Sequence, residues 1–300
     1  MTRAALSTQD YEAFRVFLEE ACGIVLGENK HYLVVSRLGR LMADEGVATL
    51  GDLVSHLHQD SNRVLRERIV EAMTTNETFW FRDTFPYDIL KNLILPELVE
   101  RRVRSPRIWS AACSTGQEPY SISMIVQEYL ASRPGSLADV QIHATDISPT
   151  ILKEAKDACY DHLALARGLS AERKQKYFVQ VRDNHWQARP EISKRVRFSQ
   201  TNLLQSYSLL GRFDVIFCRN VLIYFSSECK ADILARMARI LNPGGYLFLG
   251  SSESITQYSD EFEMVRCPRG SVYRVKSDLP ARPKSPSPRP APRLPPGGKR

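Results

Sequence analysis

The chain has 300 residues, enough for one or two domains, and 43% hydrophobic with 25% charged residues excludes a mostly disordered protein. No stretch reaches the run of about 18 apolar residues that a membrane-spanning helix needs, and the start, MTRAALSTQDYEAF, is too polar for a signal peptide. The net charge of +7 does not mark a nucleic-acid binder, because residues 277–300 carry six Lys/Arg against one Asp and the rest of the chain only +2.

The expected location is therefore the cytoplasm, with no membrane insertion. The tail 277–300 also holds eight of the seventeen prolines and reads as a disordered, partly polyproline-like segment, either a solubilising extension or a contact for an acidic or proline-reading partner. Six cysteines (22, 113, 159, 218, 229, 267) are scattered, so neither a metal knuckle nor a disulfide framework is expected.

In chain order, residues 7–75 read as a small all-helical unit. Tyr11, Phe14, Leu18 and Ala21 fall at helical spacing behind a cap at Ser7 with Asp10 three residues on. Further helices are predicted over about 30–45 (Val34, Leu38, Leu41), 50–58 (Leu53, Leu57) and 61–73 (Leu65, Ile69, Met73). From about residue 105 the texture changes to apolar runs separated by helices, the pattern of a parallel sheet covered on both faces. The predicted strands are 107–112, 140–145, 195–200, 213–218 and 246–250, then a closing pair, FEMVRC and SVYRV, joined by the turn around Pro268 to Gly270. KYFVQVRDNHWQARPEIS, between the second and third strands, reads as a small antiparallel insertion at about 172–196. A Pro-Gly-Gly turn at 243–245 is expected to lead a helix into the fifth strand.

In such a sheet, ligands sit outside the carboxyl ends of the strands near the switch in strand order. After the first strand comes AACSTGQEPYS, with Gly116 for close backbone approach and Glu118 at the start of the next helix; it reads as a ligand loop or a tight turn. Asp146 ends the second strand, where a carboxylate accepts both hydroxyls of a ribose or caps the helix near Pro149. Together the two loops point to an adenosine-containing ligand, and the single glycine argues against a pyrophosphate. Arg219 and Asn220 follow the fourth strand, with Tyr224 one turn on as a site residue or a core residue with a satisfied hydroxyl.

Six segments in order, TTNETFWFRD (74–83), SAACSTGQEPYSISM (110–124), ATDIS (144–148), TNLL (201–204), FDVIFCRNVLIYF (213–225) and LNPGGYLFLGSSES (242–254), resemble the CheR-type chemotaxis methyltransferases, which esterify glutamates of chemoreceptors. The resemblance implies a helical receptor-docking domain (1–75) and a Rossmann-like α/β methyltransferase domain (76–276) with an inserted antiparallel β-subdomain. It implies S-adenosylmethionine as cofactor, S-adenosylhomocysteine as product and no metal. Cofactor contacts carry over to Asn76, Thr78, Arg82, Glu118, Asp146, Asn202, Leu203, Arg219 and Asn220, and Arg82 and Tyr224 match the positions beside the transferred methyl group. The family's basic receptor-binding helix corresponds to the segment with Lys30, Arg37 and Arg40, which otherwise reads as a solvated helix face. The implied partner is the cytoplasmic helical bundle of methyl-accepting receptors, and the chain is expected to be a monomer.

Some relatives grip a receptor's C-terminal peptide through a glycine-bearing loop of the β-subdomain. VQVRDNHWQARP is short and lacks glycine, so receptors without such a tether are expected. An amide or adenine-amine methyltransferase would show an (N/D)PP(Y/F) loop where CRNVLIYF stands, and a nicotinamide enzyme a fuller glycine fingerprint. Another protein acceptor, a non-catalytic receptor adaptor, or a nucleic-acid module driven by the basic tail are the remaining alternatives.

Overall fold

The computed structural model describes residues 7–57 and 62–276; the tail 277–300 lies outside them. The first helix, Thr8–Cys22, starts as its sequence dictates: Ser7 Oγ accepts from the Asp10 N–H (3.0 Å). It stops at Gly23, whose φ of +80° suits glycine, with the Gly23 N–H returning to the Glu19 carbonyl. With helices His31–Asp44, Leu50–Leu57 and Arg63–Met73 it encloses a core that includes Phe14, Leu18, Leu38, Leu53 and Ile69.

The second unit is built on ten strands: β1 (Arg107–Ala111), β2 (Gln141–Asp146), β3 (Cys159–Asp161), β4 (Phe178–Arg182), β5 (His185–Ala188), β6 (Val196–Gln200), β7 (Phe213–Cys218), β8 (Leu241–Phe248), β9 (Phe262–Cys267) and β10 (Gly270–Val275). Seven form one sheet in the order β6-β2-β1-β7-β8-β10-β9; the first five are parallel, and β10 runs antiparallel to both of its neighbours. The chain moves outward from β1 to β2 and β6, then returns to β1's other side as β7. The strand order therefore reverses between β1 and β7, and the loops leaving their carboxyl ends diverge into a crevice.

Mostly apolar β1 and β7 are buried on both faces beyond Arg107, every residue of β7 included. Trp109 in β1 is fully buried between Tyr207 and Phe213, and its indole N–H donates to Thr145 Oγ1 (2.9 Å). Burial of a side chain of this size contributes about 1.5–3 kcal/mol, provided the indole N–H is satisfied as it is here.

Two sequence expectations are corrected. The insertion contains a third strand: β3 pairs with β5, giving a sheet ordered β3-β5-β4 that begins at Cys159, well before residue 172. Three residues are too few to show alternation. The hairpin between β4 and β5 turns at Asp183 and Asn184, and Asn184 takes the left-handed conformation (φ +56°) that a glycine would otherwise supply. Secondly, 243–245 is not a turn ahead of the strand but a bulge inside β8: Phe213 pairs with Leu241 and Val215 with Tyr246, so the residues between are extruded. Buried Asp214 holds the bulge, accepting from Asn242 Nδ2 and from the Arg107 N–H, each at 2.8 Å.

Candidate functional site

The crevice between the β1 and β7 loops deepens into a cleft roofed by residues 73–82 and the end of the first helix, with about 1010 Å³ of atom-free space including its open mouth. All ten residues that the family resemblance assigns to cofactor and methyl transfer line it: Asn76, Thr78, Arg82, Glu118, Asp146, Asn202, Leu203, Arg219, Asn220 and Tyr224.

The turn after β1 is wound tightly, with positive φ at Ala112 (+59°), Ser114 (+49°) and Gly116 (+95°). Only Gly116 has no alternative, since a Cβ there would stand 3.0 Å from the Tyr160 hydroxyl and 3.1 Å from the Tyr120 ring. The winding delivers the Ser114 N–H to Asp146 Oδ2 (2.8 Å) and Ser114 Oγ to the Asn76 carbonyl (2.9 Å). Asp146 Oδ1 accepts from the Ser148 N–H (3.1 Å). The cap of helix Pro149–Asp157 is Ser148 instead of Asp146, its hydroxyl accepting from the Ile151 N–H. Asp146 is thus fixed by backbone donors with one face toward the cleft, and burial raises its pKa, opposed by those N–H groups.

Glu118 enters in the first turn of helix Gln117–Ser132 and is braced by Ser110 Oγ (2.8 Å) and Arg219 Nη1 (3.1 Å). Burial raises its pKa, with the Arg219 charge acting against it. Arg219, buried at the end of β7, donates Nη2 to Asp83 Oδ2 (2.7 Å) and to the Arg82 carbonyl (2.8 Å). Burial disfavours its charge, but Tyr87, Glu118 and Asp83 more than offset this and hold it protonated. Its Nε is buried without a hydrogen-bond partner.

Several residues the sequence did not single out complete the frame. Glu253 accepts from the Asn220 N–H (2.7 Å), the Gly250 N–H (2.7 Å) and the Ile223 N–H (3.3 Å), and so holds the loop that carries Asn220, at φ +58°, and Tyr224. Glu71 of the helical unit accepts from Ser148 Oγ and from the Thr150 N–H (3.1 Å), bracing the turn behind Asp146. Asn202 spends its amide internally, donating to the Ala21 carbonyl (2.8 Å) and accepting from the Leu204 N–H (3.0 Å), so it positions the wall where Leu203 is presented. The Tyr224 carbonyl accepts from the Val25 N–H (2.8 Å). The ties from Glu71 to Ser148, Glu253 to Asn220 and Asn202 to Ala21 join positions far apart along the chain, which nothing local in sequence marks.

Of the basic trio, Lys30 and Arg40 are exposed, and Lys30 lies over the Tyr32 ring. Arg37 differs from its sequence reading. Its guanidinium binds the carbonyls of Met73 (2.5 Å) and Thr74 (3.1 Å) and Thr75 Oγ1 (3.0 Å), fastening helix His31–Asp44 to the segment that roofs the cleft. None of the three lines the cleft.

The site fits an adenosine sulfonium. Asp146 offers a rigid acceptor for two ribose hydroxyls, Leu203, Val221 and Phe225 give apolar wall for a base, and the unpartnered Arg219 Nε awaits an acceptor. Among the described residues no cluster of His, Cys, Asp and Glu could hold a metal ion, all six cysteines are free, and no helix is long and apolar enough to cross a membrane.

Two family models cover the chain: "CheR methyltransferase, all-alpha domain" matches residues 9–74 and "CheR methyltransferase, SAM binding domain" residues 76–271. The chain is 53% identical over 269 residues to chemotaxis protein methyltransferase Cher2 of Pseudomonas putida, covering 89% of this chain and 98% of that one. It is 54% identical, with the same coverage, to chemotaxis protein methyltransferase 1 of Pseudomonas aeruginosa. With the Salmonella typhimurium chemotaxis protein methyltransferase it shares 35% over 281 residues, 92% of this chain and 93% of that one. The chain belongs to the CheR family of S-adenosylmethionine-dependent chemotaxis methyltransferases.

Proposed function

We propose that the enzyme esterifies glutamate side chains on the cytoplasmic helical bundle of methyl-accepting chemoreceptors. The observation that carries this reading is the make-up of the cleft: a fixed ribose acceptor, a buried ion-pair cluster and no histidine or lysine among its lining residues. A glutamate carboxylate, with an ordinary pKa of about 4.3, is ionised at neutral pH and attacks without a general base.

S-adenosylmethionine, when bound, supplies a methyl group on a sulfonium, activated toward an anionic nucleophile. The chain's own residues then have three tasks. Asp146 and Glu118 hold the cofactor's polar groups, Arg82 orients the incoming carboxylate at the cleft wall, and Tyr224 lines the methyl position. Because reaction merges a cation and an anion, water favours the separated charges, so alignment and exclusion of water carry the catalysis. Alignment alone can be equivalent to roughly 7–11 kcal/mol of barrier. Exposed Lys30 and Arg40 would meet the acidic receptor surface, with Arg37 setting the pitch of their helix. The enzyme would act as a monomer on receptors without a C-terminal peptide tether, in keeping with the glycine-free β4–β5 turn.

The test is transfer of radiolabelled methyl to receptor-containing membranes followed by mild base. Volatile methanol is the expected outcome, and base-stable label would assign a nitrogen or carbon acceptor instead.

A further inference from the structure

The charges at the rim of the cleft are arranged differently from those inside it. Arg219 is committed to Glu118 and Asp83, and Arg173 to both oxygens of Glu128 (2.8 and 3.1 Å). Two nearby guanidinium groups keep spare donors. Among the described residues Arg82 makes one hydrogen bond, to the Glu77 carbonyl (3.2 Å), and Arg167 one, to the Glu77 carboxylate (2.7 Å). They share the Phe79 ring, with Arg167 4.4 Å and Arg82 5.4 Å from its centroid. Glu77, Phe79 and Arg82 line the cleft, while Arg167 stands outside it on the rim.

Arg167 is mounted rigidly although its side chain is exposed. Its carbonyl accepts from the N–H of fully buried Trp80 (3.2 Å), whose indole N–H donates to the Ala164 carbonyl (3.0 Å). Gly168 follows at φ +90°, and a Cβ there would lie 2.0 Å from the Trp80 carbonyl oxygen, so this backbone is pressed against the segment that lines the cleft.

The Glu77–Arg167 pair is open to water, with side chains 60% and 54% exposed. Such a pair is weak and exchanges readily. The Arg167 hydrogen bond, then the charges of Arg167 and Arg82, hold the Glu77 carboxyl below its ordinary range, so it remains a carboxylate. It is the chemical equivalent of the side chain that the enzyme's substrate presents.

We propose that Arg167 is the receiving cation for an acidic side chain of the protein substrate at the mouth of the cleft, and that Glu77 occupies it in the free enzyme as an internal stand-in which the substrate displaces. The exchange gives Arg167 one carboxylate partner in place of another and returns Glu77 to water, so the substrate is selected for acidity beside the residue that enters. This rests on the reading of the substrate as an acidic receptor surface.

The experiment varies receptor-containing membranes at saturating S-adenosylmethionine and measures cofactor affinity separately by calorimetry. Arg167→Ala is expected to raise the receptor KM about three- to fivefold and to flatten the salt dependence of kcat/KM, the behaviour of a rim charge. Arg167→Lys should recover part of that loss. Glu77→Gln is expected to lower the receptor KM, and to lose this effect in an Arg167→Ala background. Cofactor affinity should not follow either change. An unaltered KM in Arg167→Ala, a raised KM in Glu77→Gln, or the same Glu77→Gln effect with and without Arg167 would overturn the assignment. Base-labile label from the wild type with wild-type KM in these variants sinks this inference alone; no base-labile label from the wild type sinks the reading beneath it.

Discussion

The Ser114 N–H reaches the Asp146 carboxylate across 2.8 Å, which fastens the turn after β1 to the acid that ends β2. The two loops that line this side of the cleft are therefore one object. A hydrogen bond to a charged group contributes about 1.5–3 kcal/mol, so Asp146→Ala is expected to weaken S-adenosylmethionine binding by about one to two orders of magnitude. Calorimetry measures this directly, and an unchanged affinity would remove Asp146 from the cofactor site.

Protonation of the same acid gives binding a defined pH dependence. Burial raises the Asp146 pKa, and burial raises that of Glu118, so each takes a proton above its ordinary range. Ribose hydroxyls donate to the ionised carboxylate, so binding releases a proton in that window and affinity falls as the pH drops through it. The contribution to folding has the opposite sign. There the native state holds protons more readily than the unfolded chain, and stability from these groups declines as the pH rises from the unfolded to the folded pKa. Calorimetry in buffers of different ionisation enthalpy should show proton release that shrinks in Asp146→Asn; affinity that rises on acidification would contradict this.

Glu253 should behave as a positioning residue. Its removal leaves the Asn220 and Gly250 N–H groups without their acceptor, at about 1–3 kcal/mol for each one buried, and releases a left-handed Asn220. Glu253→Ala is expected to raise the cofactor dissociation constant and to lower kcat, with Glu253→Gln, which keeps one acceptor oxygen, recovering part of both. Equal loss in Ala and Gln variants would mean that the charge, and not the tie, is what matters.

Gly23 joins the helical unit to the catalytic one. At φ +80° its absent Cβ would lie 2.5 Å from the Phe225 ring, which lines the cleft. Gly23→Ala combines backbone strain with that clash, a cost of about 1 kcal/mol or more and a fall in Tm of roughly 2–4 °C per kcal/mol. Thermal denaturation checks it, and an unchanged Tm would show that the two units are less closely seated.

What was legible in the sequence follows from the range of the forces involved. β7 shows as FDVIFC because burial on both faces demands a mostly apolar run, and Ser7 shows as a cap because its partner is Asp10, three residues on. Asp146, Glu118 and Arg219 were recognisable as cleft residues because each stands at or just past the carboxyl end of a parallel strand. Arg37 was read as a docking charge because its carbonyl partners lie 36 and 37 residues away. Glu71 was invisible for the same reason, since it meets Ser148 across 77 positions, and the LNPGGYLFLGSSES segment (242–254) did not show that its Glu253 meets Asn220 across 33. The extruded 242–245 segment has turn chemistry but is held inside a strand by Asp214, a tertiary contact that no local rule supplies.

The most direct test of the central claim is tandem mass spectrometry of receptor after reaction with wild-type enzyme and with Asp146→Ala. The account predicts methyl groups on glutamate side chains of the receptor's helical bundle, lost on mild base and strongly reduced with the variant. Methylation on lysine, asparagine or glutamine, or undiminished modification by Asp146→Ala, would contradict it.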